Sequence, residues 1–212
     1  MLRRFPAKTR GGAKAAGWLA SALLLAACAV QLVTPYDEVI DDGLMSFNRD
    51  FLQFMAGIKE NVPSEDASYA SNTSFYNAQQ AAIATLVQRS KASDPGGSCT
   101  SSGVTQSTVQ RVDSIVLPDA AKTTPPPAGS CTTILLTYVQ EQLTDTACFH
   151  QAIYGQTSAT CEGRGFTPAI AQSLQNAPRA TKQTLLDQVE SAVTASVTAA
   201  MTFELAKKQG VN

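Results

Sequence analysis

The chain has 212 residues, with 16 Lys+Arg against 17 Asp+Glu, a formal net charge of −1, one histidine and five cysteines. Five of the basic residues and none of the acidic ones precede residue 28, so the remainder carries 11 cations against 17 anions and a net charge of −6. That balance speaks against a nucleic-acid binder, which needs clustered Lys and Arg to displace counterions, and against a basic face lying on anionic lipid. A single histidine rules out any two-histidine metal site.

The first segment is basic at Arg3, Arg4, Lys8, Arg10 and Lys14, then apolar from Ala15 to Ala27 through Trp18, Leu19, Leu23, Leu24 and Leu25. These are the parts of a secretory signal. At about 13 residues the apolar core is too short to span a bilayer, which takes about 20. The run Leu25-Ala26-Ala27-Cys28 closes it and resembles the lipobox of bacterial lipoproteins, an aliphatic residue and two small ones before an invariant cysteine. The resemblance implies a diacylglyceryl thioether on Cys28, cleavage before it and N-acylation of the new terminus. The expected organisation is a signal peptide over 1–27, a lipidated tether over 28–36 and one helical domain over 37–212. No later apolar run reaches spanning length, so acyl chains are the expected membrane attachment; several together anchor stably where one alone is marginal. Ala29 at the second mature position resembles the pattern sent on to the outer membrane. The expected location is therefore a periplasm-facing lipid anchor in that membrane, with the inner membrane the less favoured alternative.

From Tyr36 to Val62, apolar residues fall at Ile40, Leu44, Phe47, Phe51, Phe54 and Ile58 in alternating steps of four and three, one stripe of an α-helix. Asp37, Glu38, Asp41 and Asp42 crowd its first turns, where the helix dipole favours negative charge, and Pro63 ends it. A second helix is expected from Ser64, its cap, to Lys91, with Tyr69, Tyr76 and Ile83 recurring every seven residues. The short junction makes the two antiparallel neighbours. Residues 92–130 read as an irregular loop, with Asp94-Pro95-Gly96-Gly97 a turn and Thr124-Pro125-Pro126-Pro127 an extended run. Within the loop, Val104, Val109, Val112 and Ile115 could form a short helix before Pro118. A third helix is expected from its cap Ser130 toward Tyr154, broken by Gly155 to Gly165. Thr167-Pro168 has the form of a cap followed by proline at the first helical position. The last helix is expected from near Pro178 to Lys208, with Leu185, Leu186, Val189, Val193, Val197, Ala200 and Phe203 on its apolar face and Gly210 past its end. The predicted fold class is all-α: an antiparallel bundle of three to four long helices.

Beyond Cys28 the cysteines are Cys99, Cys131, Cys148 and Cys161. An even number in an exported chain reads as disulfides, and four cysteines allow three connectivities. If Cys131 and Cys148 share one helix they stand about 25 Å apart, whereas a disulfide tolerates about 7 Å between Cα atoms. The preferred pairing is Cys99–Cys131 with Cys148–Cys161. No Cys-x-x-Cys pair supports a metal reading.

Catalytic constellations are missing from the sequence. There is no Gly-x-Ser-x-Gly elbow, no His-Glu-x-x-His motif and no phosphate-cradling glycine loop, and disulfide pairing removes the thiol that a Cys–His pair would need. His150 reads as a partly buried structural residue. The acidic pairs Asp37/Asp41 and Glu38/Asp42 share helix faces and read as a solvated helix start, with a weak divalent-cation site the alternative. The aromatic set Phe47, Phe51, Phe54, Tyr69, Phe75 and Tyr76 reads as core rather than as a ligand groove.

The runs Tyr36-Asp37-Glu38-Val39-Ile40-Asp41, Ser68-Tyr69-Ala70-Ser71-Asn72 and Phe75-Tyr76 resemble a group of small helical Gram-negative lipoproteins. The likeness covers mainly Cys28 to Arg89 and implies no activity. The expectation from the whole sequence is a non-enzymatic envelope lipoprotein that docks a protein partner or supports an assembly. The alternative is a carrier or sensor of a small apolar ligand between helices. No catalytic residue, metal ligand or cofactor is expected, and the oligomeric state is left open.

Overall fold

The computed structural model describes residues 35–94, 97, 99 and 129–209. The expected signal peptide over 1–27, Cys28, residues 29–34 of the expected tether, the short helix expected over 104–115, the Thr124–Pro127 run and Gly210 lie outside the described residues. Six α-helices and no strand occur among those described: α1 (Glu38–Asn61), α2 (Tyr69–Ser93), α3 (Cys131–Ile153), α4 (Ala159–Gly163), α5 (Pro168–Asn176) and α6 (Arg179–Lys208). The fold is all-α as expected, with four long helices and two short ones.

Local chemistry sets most of the boundaries. Asp37 caps α1, its side chain accepting from Val39 N, and Ser130 caps α3 by accepting from Thr133 N. Thr167 caps α5 with Pro168 at the first turn. The second expected helix is corrected. Ser64 opens only a single 3-10 turn (Glu65–Ala67), and Ser68, with φ −71° and ψ 156°, caps α2 by accepting from Ser71 N. The extended backbone at both serines interrupts the helical hydrogen bonds that one continuous helix would need. The break after α3 also holds a short helix, α4, capped by Ser158.

The four long helices form a ring in which α1 packs on α2, α2 on α3, α3 on α6 and α6 back on α1, with α5 against α3. Facing residues run in opposite order along each pair. On α1 and α2, Phe54 stacks on Phe75 at 3.8 Å while the Gly43 backbone meets Leu86. On α1 and α6, Lys59 pairs with Asp187 while Asp37 N reaches Glu204. On α2 and α3, Tyr76 meets His150 while Ser90 meets Thr133. The interior between them is filled by Leu44, Phe47, Phe51, Met55, Ile83, Leu136, Leu143, Leu186, Val193 and Val197. The predicted stripe of α1 is buried at Ile40, Leu44, Phe47, Phe51 and Ile58; Phe54 sits at its edge, half-buried, turned toward α2.

Gly43 of α1 packs against Leu86 of α2: a Cβ there would lie 2.8 Å from Leu86 Cδ1. Gly43→Val is expected to lower stability by about 1–3 kcal/mol through overpacking. Gly57→Ala, where a Cβ meets nothing within 4 Å, is expected to raise it by about 0.5–1 kcal/mol. Urea unfolding midpoints of the two variants check both signs.

Candidate functional site

The end of the bundle that receives the chain from the N-terminal side is built from a polar cluster contributed by all four long helices. Glu204, 0% exposed on α6, accepts from the Thr132 hydroxyl of α3 at 2.5 Å and from Lys207 Nζ at 2.7 Å. Its second oxygen faces the Asp37 backbone N–H at the start of α1, 3.4 Å away. Lys207 Nζ also donates to Thr132 Oγ1 at 3.0 Å. Arg89 of α2 extends the cluster by donating to Asp37 Oδ2 at 2.7 Å. Burial pushes the Asp37 carboxyl up, but hydrogen bonds from Arg89 and the Val39 amide outweigh this and hold it below the usual carboxylate range. Beside this cluster, Thr133 Oγ1 bonds Ser90 Oγ at 2.8 Å and Ser130 Oγ at 3.0 Å, and the Cys99–Cys131 disulfide ties the chain shortly after α2 to the first residue of α3.

The acidic set is therefore not a uniformly solvated helix start. Glu38 and Asp42 are exposed, Asp37 is paired, and Asp41 is buried, with Oδ2 accepting from the Tyr36 hydroxyl at 2.9 Å. The separation follows from helix geometry: Ile40, Asp41 and Leu44 fall on the core side while Glu38 and Asp42 project from the opposite one. No group of three or more His, Cys, Asp or Glu side chains among the described residues is placed to hold a metal ion.

The opposite end holds His150, buried rather than partly buried at 1% exposure. Its Nε2 lies 2.6 Å from the Ala67 carbonyl, which can only accept, so Nε2 carries the proton and Nδ1 accepts from the Tyr76 hydroxyl at 2.9 Å. Rings of Phe54, Tyr69, Tyr76 and Tyr154 surround it at centroid distances of 5.7–6.1 Å. Burial pushes the imidazole pKa down to about 4, against the smaller opposite effect of the Ala67 hydrogen bond. With both nitrogens engaged inside an aromatic shell, this imidazole is placed to tie α3 to the α1–α2 connector, and Tyr154 adds a second tie by donating to Ser64 O at 2.9 Å.

Cys148–Cys161 staples α3 to α4 at this end, with a Cα–Cα distance of 5.2 Å. Asp145 accepts from Arg164 at 2.6 Å; burial pushes its carboxyl up and Arg164 offsets only part of that. Lys182 donates to the Gln175 carbonyl at 2.8 Å, a cation against the C-terminal end of α5. Both disulfides carry the preferred pairing. Cys28 lies outside the described residues.

Sequence reasoning missed Glu204, Lys207, Thr132 and Arg89. A signal was present for one of them: Glu204 falls on the apolar register of α6, four residues after Ala200 and seven after Val197, with Lys207 three residues further on. Comparison of the chain with protein-family models, with curated proteins and with solved structures gives no match. Among the described residues no helix is long and apolar enough to cross a membrane.

Proposed function

We propose that this chain is a non-enzymatic envelope lipoprotein, anchored by acyl chains on Cys28 in the outer membrane and facing the periplasm, which docks a protein partner or supports an envelope assembly. The observation that carries the reading is the mooring of Asp37: the point where a tether from Cys28 enters the bundle is fixed to α2 through Arg89 and to α6 through Glu204. An entry point tied to two helices suits a body that must be held at a membrane. Supporting it, the residue types that most often do chemistry serve the fold here, with His150 enclosed and Cys99, Cys131, Cys148 and Cys161 in disulfides. The space between the helices is occupied by Leu44, Phe47, Phe51, Leu136 and Leu143, which favours a docking body over a carrier of a small apolar ligand.

The test is in-cell cross-linking of the full chain followed by mass spectrometry, with Cys28→Ala as the unanchored control. A stoichiometric protein partner that disappears in the control is the expected result. Random neighbours in both samples would overturn docking and bring the ligand carrier forward; a substrate turned over by the purified protein and lost on changing His150 would overturn the non-enzymatic reading.

A further inference from the structure

Every described route into or out of the bundle opens at one end. Pro35 precedes α1, Asp94 follows α2, Cys99 N donates to Gly129 O at 3.0 Å just before α3, and Gln209 follows α6. Charge at this end is largely neutralised internally, Asp37 by Arg89 and Glu204 by Lys207. The exposed apolar side chains here are Val39, 50% exposed, and Leu205, 43% exposed and one turn from Lys208, whose ammonium sits 4.8 Å over the Tyr36 ring. Lys91 and Lys208 are exposed here beside exposed Glu38 and Asp42, and Asp41 and Asp94 add two more carboxylates, so this end carries no excess of cations. An exposed leucine beside a long-stemmed lysine and a tyrosine suits the boundary between water and hydrocarbon.

Chain length restricts the orientation further. From Cys28 to Tyr36 the backbone reaches at most about 28 Å when fully extended. Helix α1, with 24 residues, is about 36 Å long. A tether that short cannot let the bundle invert and set its far end on the membrane that holds Cys28.

We infer that the bundle stands with its tether end on the phospholipid headgroups, Tyr36, Leu205 and Lys208 making the contact, and that an end without an excess of cations fits a zwitterionic surface rather than an anionic one. The opposite end, with the α1–α2 connector, the Cys148–Cys161 staple and the exposed Ile170, is thereby held about 36 Å out, where a partner can reach it. This orientation rests on the lipid-anchor reading.

The sequence provides a clean probe, because Trp18 is its one tryptophan. In a full-length Trp18→Phe background, Leu205→Trp and Ile170→Trp each supply a single fluorophore at an exposed site on opposite ends. The purified proteins are placed in phosphatidylcholine/phosphatidylethanolamine vesicles containing phosphatidylcholine brominated near the headgroup. Intact mass reports separately whether Cys28 carries lipid. If it is bare, the same thiol is coupled to a maleimide phospholipid, so the contact is tested even if natural acylation fails. Expected is a blue shift and about a twofold loss of intensity for the tryptophan at 205, with the one at 170 unaffected. Equal quenching at both sites, quenching at 170 alone or none at either would overturn the orientation, the last leaving a protein as the occupant of the patch.

Discussion

Glu204→Ala is expected to destabilise the fold by about 3–5 kcal/mol, the cost of leaving a buried charge without its partner. The Glu204 carboxylate is 0% exposed and the Lys207 side chain 4%, so removing the acid strands an ammonium whose remaining hydrogen-bond partner is the Thr132 hydroxyl. The same change removes the acceptor facing the Asp37 amide and frees the Thr132 hydroxyl. The loss is therefore more than one ion pair: α1, α3 and α6 separate from a shared centre. In a domain of this size the shift in Tm is about 10 °C. Urea unfolding with both disulfides intact measures it as a lower midpoint at unchanged slope. Glu204→Ala/Lys207→Met is expected to recover most of the loss, because a buried pair replaced by apolar groups is often neutral. A single variant within about 1 kcal/mol of the parent would show that water reaches this cluster and that it does not fix the start of α1.

The second large effect is a stability that depends on acid. Burial holds the His150 imidazole pKa down at about 4 in the folded state, below its ordinary value of 6.5. Between those values the unfolded chain binds more protons than the folded one, so stability rises with pH across the window and is flat above it for this group. Lowering the pH from about 7 to about 4 is expected to remove about 3 kcal/mol through His150 alone. The mechanism is geometric. Protonation turns Nδ1 from an acceptor into a donor, so the Tyr76 hydroxyl must turn away from the arrangement it holds at 2.9 Å, inside an aromatic shell that offers the new charge little solvation. His150→Gln keeps a donor for the Ala67 carbonyl and removes the titration. The difference in unfolding free energy between parent and variant, followed from pH 7 to pH 4, isolates the imidazole from the carboxylates, which titrate in both. A difference that does not change with pH would show that this histidine does not supply the acid sensitivity.

Both effects arise at residues whose weight the sequence represented unevenly. His150 was visible as the single histidine, and a structural role could be read for it, yet its two partners come from Tyr76 and Ala67, 74 and 83 residues away. Glu204 was legible only as a carboxylate on an apolar register. The stripe of α1 was readable because Ile40, Leu44, Phe47, Phe51 and Ile58 repeat at helical spacing, and their burial follows directly. The split at Ser64–Ser68 was not, because two serines in one short stretch are both competent caps and only the backbone path selects Ser68.

What the sequence by itself determined was the all-α class, the long helices with most of their caps, and the exclusion of a Cys131–Cys148 bond across one continuous α3; the choice between the two remaining disulfide pairings was a preference that the structure bears out. Each depends on groups within a few residues of one another, or on a distance fixed by helical rise. Only the tertiary structure decided which acids are buried, that Arg89, Asp37, Thr132, Glu204 and Lys207 form one cluster, and that His150 is enclosed. Those outcomes depend on groups far apart in the chain, as far as the 167 residues between Asp37 and Glu204, and the closing of the helix ring is what brings them within hydrogen-bond reach.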